Sequence, residues 1–368
     1  MTQTFLIYGA PEGSPDLFHA IPEGIIDPFL FVEADGTRAA TVSILDKHKV
    51  EAHGVDVIDL FDLGVDELLD SGMAREQVEL ELSLRAVQRL GVTSALVPSE
   101  FPVGLADHLR AAGIELIVDS QAFVARRRVK TAEQIAGIRR AQVAADAAMA
   151  VGARMIRELR DGMTSEQVRA AMQAVCDEHG CDLPDDVIVS HGPQGAIGHE
   201  SGYGQIGRGE PVIVDIWPRD RASRCWADMT RTFVAGGAEP PEEIARWWEL
   251  TRESLDRSFA AVRAGVDGRE VYGLSCEPFE AAGEPTQRSK PAGQKLDEGY
   301  YHSLGHGVGL EVHERPGLGR TPDPLVAGDV ITLEPGCYRK DIGGVRLEDM
   351  VLVTEGGAER LTDFPYDL

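Results

Sequence analysis

The sequence predicts an α+β protein of two domains, and three observations lead to this interpretation. The chain has 368 residues, which is more than one hydrophobic core normally organises. Residues 1–125 alternate short β-like runs with amphipathic helical segments, as α/β domains do. Residues 126–368 place two helices before a group of strands and then repeat that order. We therefore expect a smaller α/β domain over 1–125 and a larger, pseudo-symmetric α+β domain over 126–368.

In the first domain, apolar and β-branched runs predict strands, and two segments with apolar residues three and four positions apart predict helices. The pair Asp35-Gly36 predicts a hairpin turn between two of the strands. The predicted strands lie at 4–9, 28–44 (two strands), 55–60, 95–99 and 114–120, and the predicted helices lie at 74–90 and 101–112.

Two capping boxes predict helix starts in the second domain. Thr131 is followed three residues later by Gln134, and Thr164 by Gln167. At this spacing a hydroxyl and an amide side chain satisfy the first free peptide N–H groups of a helix. Further helices are predicted near 241–264 and 268–282, and strands are predicted within 211–234, 301–314, 329–338 and 344–354.

Composition and charge exclude several classes of partner. A formal net charge of −25 makes attraction to nucleic acid or anionic lipid unfavourable, so we expect neither. The five cysteines form no CxxC pair, which favours a reducing compartment over a disulfide framework. No apolar run reaches the length of about 18 residues that predicts a membrane span, and the first residues do not resemble a signal peptide. The expected location is the cytoplasm.

Four carboxylates interrupt predicted strands in the second domain. Asp215 in VIVDIW and Asp228 in CWADMTRTF belong to one predicted hairpin, while Glu334 interrupts DVITLEPGCY and Glu348 interrupts VRLEDMVLVT. A single one would be explained by an edge strand whose carboxylate points to water. Four buried together would repel one another and would need a compensating positive charge. Two divalent metal ions would supply that charge.

The glycine-rich segment YHSLGHGVGLEVHE supplies three histidines. His306 is the best placed to bind metal, because its glycine neighbours allow a close approach. A site of oxygen ligands with one imidazole favours Mn²⁺, with Co²⁺ and Zn²⁺ as alternatives. His302 and His313 would then lie outside the ligand set and donate hydrogen bonds or move protons. His199, in GAIGHESG, is a further candidate, although a lone loop histidine is usually a surface residue.

The motifs DMTRTF, GHGVGLEVHE, ITLEPGCY and VRLED resemble those of the metallopeptidase family that contains prolidase, aminopeptidase P and methionine aminopeptidase. The resemblance covers residues 125 to 368 and favours the prolidase and aminopeptidase P branch. It implies the pita-bread fold, a pseudo-two-fold α+β domain, and a creatinase-type N-terminal domain. It also implies five metal ligands: Asp215, Asp228, His306, Glu334 and Glu348.

The resemblance further implies hydrolysis of Xaa-Pro peptide bonds, in dipeptides or longer peptides, by a hydroxide that bridges two metal ions. Glu334 would act as general base, and His313 and His199 would stabilise the tetrahedral intermediate. His302 and Arg346 would lie on the substrate side, and Arg346 would also fix the geometry of the carboxylates. Members of the family are commonly homodimers, and we expect a homodimer here.

Two other functions stay open from the sequence. One is a different aminopeptidase specificity, such as that of the methionine aminopeptidases. The other is a non-catalytic binding protein that retains the pita-bread fold. The turn between Asp215 and Asp228 is longer than usual for the family, and DIW stands where a small residue commonly follows the first aspartate. We expect Trp217 to reshape one wall of the pocket, so the sequence leaves the preferred substrate open.

Overall fold

The computed structural model describes residues 3–368. The chain divides into two compact units, one ending at Arg127 and the other running from Arg128 to Leu368. Among the described residues, no helix combines the length and the apolar character that crossing a membrane requires.

The first unit is built on one mixed six-stranded sheet in the order β4-β3-β2-β1-β5-β6. Its strands are β1 (Phe5–Gly9), β2 (Phe29–Ala34), β3 (Thr37–Ala40), β4 (Asp56–Val57), β5 (Ser94–Val97) and β6 (Glu115–Val118). Its helices are α1 (Pro15–Ala20), α2 (Lys47–Glu51), α3 (Val65–Asp70), α4 (Arg75–Arg89), α5 (Val103–Ala111) and α6 (Ser120–Arg128).

Local sequence patterns account for much of this unit. All six predicted strands are present, and both predicted helices are confirmed as α4 and α5. Asp35 and Gly36 both adopt positive φ angles, 48° and 80°, which is the conformation that the predicted tight hairpin turn needs. Four helices were not predicted, namely α1, α2, α3 and α6.

The second unit contains four long helices and several short sheets. The helices are α7 (Ala132–Arg157), α8 (Ser165–Glu178), α9 (Glu242–Ala261) and α10 (Gly268–Ala281). The strands are β7 (Cys181–Asp182), β8 (Ile188–His191), β9 (Pro211–Ile216), β10 (Arg219–Asp220), β11 (Met229–Val234), β12 (Gly305–Gly307), β13 (Glu314–Leu318), β14 (Val330–Leu333), β15 (Gly336–Arg339), β16 (Gly343–Arg346), β17 (Asp349–Val353) and β18 (Ala358–Arg360). Two 3₁₀ helices cover Gly192–Ala196 and Ala235–Gly237.

Both predicted capping boxes are present. The Thr131 hydroxyl accepts a hydrogen bond from the peptide N–H of Gln134 at 3.2 Å, and the Gln134 side chain accepts one from Thr131 at 2.9 Å. Thr164 and Gln167 repeat the arrangement at the start of α8. These caps satisfy N–H groups that a helix leaves without internal partners.

Each helix pair covers one sheet and forms its own hydrophobic core. Helices α7 and α8 pack against the sheet β11-β9-β8, and their shared core includes Met149, Met172 and Val214. Helices α9 and α10 pack against the sheet β13-β12-β14-β17-β18, with Trp247 and Ile331 in the second core. This repetition is the pseudo-symmetric arrangement that the order of elements predicts.

Candidate metal centre

Asp215 and Asp228 lie on one face of a β-hairpin. Strands β9 and β11 pair antiparallel, with Asp215 opposite Thr230. The same register places Asp228, which directly precedes β11, opposite Trp217. Since side chains two residues apart on a strand point to the same face, these four residues share the face that points away from α7 and α8. The predicted hairpin is confirmed.

Glu334 and Glu348 face each other across a bent two-stranded ribbon. Strand β14 pairs with β17 in one sheet and β15 pairs with β16 in another, and both pairings keep a single register. That register sets Glu334 opposite Glu348 at the point where the ribbon passes from one sheet to the other. Across the bend, the Leu347 N–H donates to the Pro335 carbonyl oxygen at 3.3 Å.

The expectation that all four carboxylates lie inside strands is therefore wrong for three of them. Asp215 lies within β9, but Asp228 precedes β11, Glu334 follows β14, and Glu348 lies between β16 and β17. Pro335 lacks the N–H group that would continue the ladder past Glu334. The glutamates consequently occupy a break between sheets rather than a flat sheet face.

His306 lies in the short strand β12, between β13 and β14. A Cβ atom at Gly305 would lie 2.1 Å from the Thr332 carbonyl oxygen, and one at Gly307 would lie 2.3 Å from the Arg315 carbonyl oxygen. Both positions therefore accept only glycine. The strand predicted over 301–314 is limited to β12 and the first residue of β13, because the register shifts after His306, as at a bulge.

The histidine and the carboxylates converge on one place. The Nε2 atom of His306 lies 3.7 Å from Oδ2 of Asp228 and 3.6 Å from Oε1 of Glu334. Potential ligand atoms of Asp228, His306 and Glu348 all lie within 4.8 Å of one another. Together with Asp215, these residues line a single cavity. The five residues that the motifs single out are thus neighbours in space.

Arg346 connects Asp215 to the rest of the centre. Its buried guanidinium donates to Oδ2 of Asp215 at 2.6 Å, to the Tyr338 hydroxyl at 3.0 Å and to the Thr230 hydroxyl at 3.3 Å. The Thr230 hydroxyl in turn donates to Oε2 of Glu348 at 2.8 Å. Arg346 therefore orients one carboxylate directly and a second one through Thr230.

Burial and mutual repulsion oppose ionisation of the clustered carboxylates. Burial, followed by the charges of Asp215 and Glu334, holds the pKa of Asp228 well above its usual range. Burial, followed by the charge of Asp228, does the same to the pKa of Glu348. Burial raises the pKa of Glu334 to about 8, although Arg346 opposes that shift. One guanidinium does not compensate this group of acids.

The donor set fits divalent cations. The Oδ1 atom of Asp215 is buried and accepts no hydrogen bond from any described residue. A buried carboxylate oxygen without a partner is costly in a native protein and indicates a missing positive partner. Carboxylate oxygens with one imidazole suit hard to borderline divalent metals. The residues present therefore fit the metal ions that the sequence motifs imply.

The metal-free protein is expected to lose stability as the pH rises. Glu334 has a pKa of 4.5 when unperturbed and about 8 in the fold, so its contribution is complete below pH 4.5 and is lost between there and pH 8. The loss is on the order of 1 kcal/mol per pH unit. Thermal unfolding of chelator-stripped protein at several pH values measures it.

Glu334→Gln is the matched control for this pH dependence. It removes the titrating group, so the stability of the metal-free variant should change less between pH 4.5 and pH 8. With excess Mn²⁺ the stability of the protein should instead rise with pH, because metal binding to carboxylates releases protons. Identical pH profiles for the metal-free wild type and the variant would contradict the expected coupling.

Three further histidines line the same cavity, which has a volume of about 950 Å³. The rings of His306 and His313 meet edge to face with centroids 4.3 Å apart, and Nε2 of His302 lies 2.9 Å from the Tyr338 hydroxyl. His199 lines the cavity from the loop after the first 3₁₀ helix. Burial lowers the pKa of His302 to about 3 and also lowers that of His313. Both imidazoles are therefore neutral at pH 7.

Sequence reasoning missed two residues that organise the centre. Thr230 bridges Arg346 and Glu348, and Tyr338 contacts both Arg346 and His302. Thr230 could have been found, because it shares a strand face with Asp228. Tyr338 lies within the motif ITLEPGCY, but its role depends on the pairing of β15 with β16, which the sequence alone does not specify.

The fold and this centre define the class of protein. The model of metallopeptidase family M24 matches residues 136–355, which is more than half of the chain, and the chain belongs to this family.

Particular relatives are similar over most of the chain. The Xaa-Pro dipeptidase of Pyrococcus furiosus is 33% identical over 245 residues, which are 66% of this chain and 65% of that protein. The crystal structure of a prolidase from Pyrococcus horikoshii OT3 has a TM-score of 0.80 at 24% identity, covering 100% of this chain and 95% of the other. An X-Pro aminopeptidase from Thermotoga maritima MSB8 also has a TM-score of 0.80, at 21% identity, covering 99% and 96%. These similarities confirm the predicted α+β, pita-bread fold class.

Proposed function

We propose that this protein hydrolyses peptide bonds that precede proline, in dipeptides or longer peptides, with the help of two divalent metal ions. The convergence of Asp215, Asp228, His306, Glu334 and Glu348 in one cavity is the observation that carries the proposal. Membership of family M24 and the names of the similar proteins, Xaa-Pro dipeptidase, prolidase and X-Pro aminopeptidase, support it.

The five converging residues would hold the metal ions. Mn²⁺ is the proposed metal, with Co²⁺ and Zn²⁺ as alternatives, because four of the five side chains offer oxygen. When bound, the pair of ions lowers the pKa of a water molecule and polarises the scissile carbonyl. Arg346 keeps Asp215 in position for this task, and Thr230 does the same for Glu348.

Side chains of the protein would transfer the proton of the attacking water and stabilise the negative charge that develops on the substrate. Glu334 takes the proton of the attacking water and returns it to the departing amine. The imidazoles of His313 and His199 donate hydrogen bonds to the oxyanion of the tetrahedral intermediate. His302, held by the Tyr338 hydroxyl, lines the substrate side of the cavity.

Shape would supply the selectivity for proline. The nitrogen of a peptide bond before proline carries no hydrogen, so a hydrogen bond to it cannot select the substrate. The cavity is lined in part by the apolar side chains of Ile188, Ile197, Trp217 and Val312. Such a wall suits a compact apolar ring. Trp217, which departs from the family pattern, is therefore proposed to influence which peptides are preferred.

Restoring metal to stripped protein tests the function. Chelator-treated protein should be inactive, and Mn²⁺ should restore cleavage of an Xaa-Pro dipeptide or of the first residue of a longer Xaa-Pro peptide. The same peptides with alanine in place of proline, and a Met-Ala peptide, are the controls. Equal cleavage of the Met-Ala peptide would favour the methionine-aminopeptidase alternative. Absence of any cleavage by metal-loaded protein would favour a binding protein.

Two further properties belong to this proposal. A homodimer is expected from the resemblance to the family. A cytoplasmic location is supported by the five cysteines, which are all buried and free, as in proteins of reducing compartments.

A further inference from the structure

A second buried arginine lies behind the metal centre and takes no part in the proposed reaction. Arg231 follows Thr230 on β11, so its side chain points to the opposite face of the strand. Only 1% of the side chain is exposed. An arginine buried to this degree needs an acceptor for each of its five N–H groups.

Five hydrogen bonds meet that requirement. Nη1 donates to the carbonyl oxygens of Thr230 at 2.9 Å and Glu348 at 2.7 Å. Nη2 donates to Oδ1 of Asp349 at 3.0 Å and to the Phe364 carbonyl oxygen at 2.9 Å, and Nε donates to the Pro365 carbonyl oxygen at 3.1 Å. One guanidinium thus joins β11, the peptide of a candidate metal ligand and the C-terminal segment.

Asp349 and Tyr366 complete the connection. Asp349 is fully buried, and its Oδ2 atom forms an ion pair with Arg360 at 2.8 Å and accepts a hydrogen bond from the Tyr366 hydroxyl. The Tyr366 ring lies close to three guanidinium groups, 4.4 Å from that of Arg231, 3.8 Å from that of Arg252 and 5.7 Å from that of Arg360. Cation–π contacts of this kind hold the ring against the protein.

Arg231 holds the backbone of Glu348 from the side that faces away from the cavity. Besides the Arg231 bond to its carbonyl oxygen, Glu348 donates its N–H to the Thr230 carbonyl oxygen at 3.0 Å. The Thr230 hydroxyl holds the carboxylate of Glu348 from the cavity side. Glu348 lies in the break between β16 and β17, where a regular ladder does not hold it, so these contacts decide where its carboxylate points.

We propose that Arg231, together with Asp349 and the C-terminal segment Phe364–Tyr366, positions Glu348 for metal binding. This inference rests on the proposed function, because it assumes that Glu348 is a metal ligand. Arg231 and the segment are positioning groups, since they contact neither the cavity nor a substrate bound there. The segment Phe364–Tyr366 is thereby a structural part of the metal centre.

Arg231→Lys is the first test. Lysine keeps the charge but cannot reproduce a planar fork with five donors. We expect the dissociation constant for Mn²⁺, measured by calorimetry on chelator-stripped protein, to rise on the order of 10- to 100-fold, as for other partners of metal ligands. Arg252→Lys is the matched control, because it makes the same change at a guanidinium that contacts the Tyr366 ring and Asp256, and it should leave the constant within about twofold.

A chain ending at Asp363 and the full-length variant Tyr366→Phe test the segment itself. The shortened chain should weaken Mn²⁺ binding as Arg231→Lys does. Tyr366→Phe keeps the aromatic ring and loses one hydrogen bond to Asp349, so it should weaken binding less. Circular dichroism of the metal-free proteins establishes that each is folded. If Arg231→Lys and Tyr366→Phe are folded and bind Mn²⁺ as tightly as Arg252→Lys, the inference is overturned while the proposed function stands. If the unaltered protein binds no Mn²⁺, both are overturned.

Discussion

Asp228→Asn is expected to lower the rate of Xaa-Pro cleavage on the order of 10³-fold or more, because without the ions a water keeps a pKa near 15.7 instead of about 7. Asp228 is buried beside His306 and Glu334, so the substitution removes a ligand charge without changing the volume of the side chain. The measurement is kcat/KM for an Xaa-Pro peptide at one fixed Mn²⁺ concentration, chosen to saturate the unaltered protein.

The same substitution should stabilise the metal-free protein at pH 8. Burial and the neighbouring carboxylates disfavour the charged form of Asp228, and asparagine carries no charge to desolvate. Asp363→Asn, which changes an exposed aspartate, is the control. Opposite effects on activity and on metal-free stability are the signature of a metal ligand. A variant that loses stability together with activity would instead indicate a purely structural role.

His313→Ala is expected to lower kcat on the order of 10²- to 10³-fold, the usual cost of losing one donor to an oxyanion. The ring of His313 touches that of the candidate ligand His306, yet His313 itself is proposed to donate a hydrogen bond and not to bind metal. Mn²⁺ affinity should therefore change little in this variant. Steady-state kinetics and calorimetric titration of the same preparation measure the two quantities.

His306→Ala provides the comparison, since it should abolish Mn²⁺ binding and activity together. His179→Ala alters an exposed histidine of the same unit and should affect neither. Equal loss of Mn²⁺ binding in His313→Ala and His306→Ala would show that His313 is a ligand, contrary to the role proposed for it.

Short sequence patterns predicted those elements of the fold that depend on contacts between residues close in the chain. The capping boxes at Thr131 and Thr164 involve residues three positions apart, so the sequence alone was sufficient to place the starts of α7 and α8. The hairpin that carries Asp215 and Asp228 likewise pairs two strands, β9 and β11, that are joined by one connection, residues 217–228. By contrast, α6 was missed because its basic residues obscure an amphipathic pattern, although Phe123 is buried.

The candidate ligands were predicted from their chemistry and their motifs. The break in the ribbon at which Glu334 and Glu348 lie was not predicted. Carboxylates in apolar surroundings are anomalous enough to be noticed in a sequence. The opposition of Glu334 and Glu348 depends on the pairing of β14 with β17 and of β15 with β16, which Pro335 interrupts. The contacts of Arg231 with Glu348 and Phe364 join positions more than 100 residues apart. No local pattern encodes contacts of that kind.

Calorimetric titration of chelator-stripped protein with Mn²⁺, for the unaltered chain and for Asp228→Asn, tests the proposed metal centre most directly. We predict two bound ions per unaltered chain and a clear loss of both affinity and stoichiometry in the variant. Failure of the unaltered chain to bind Mn²⁺, or undiminished binding by the variant, would contradict a centre formed by Asp215, Asp228, His306, Glu334 and Glu348.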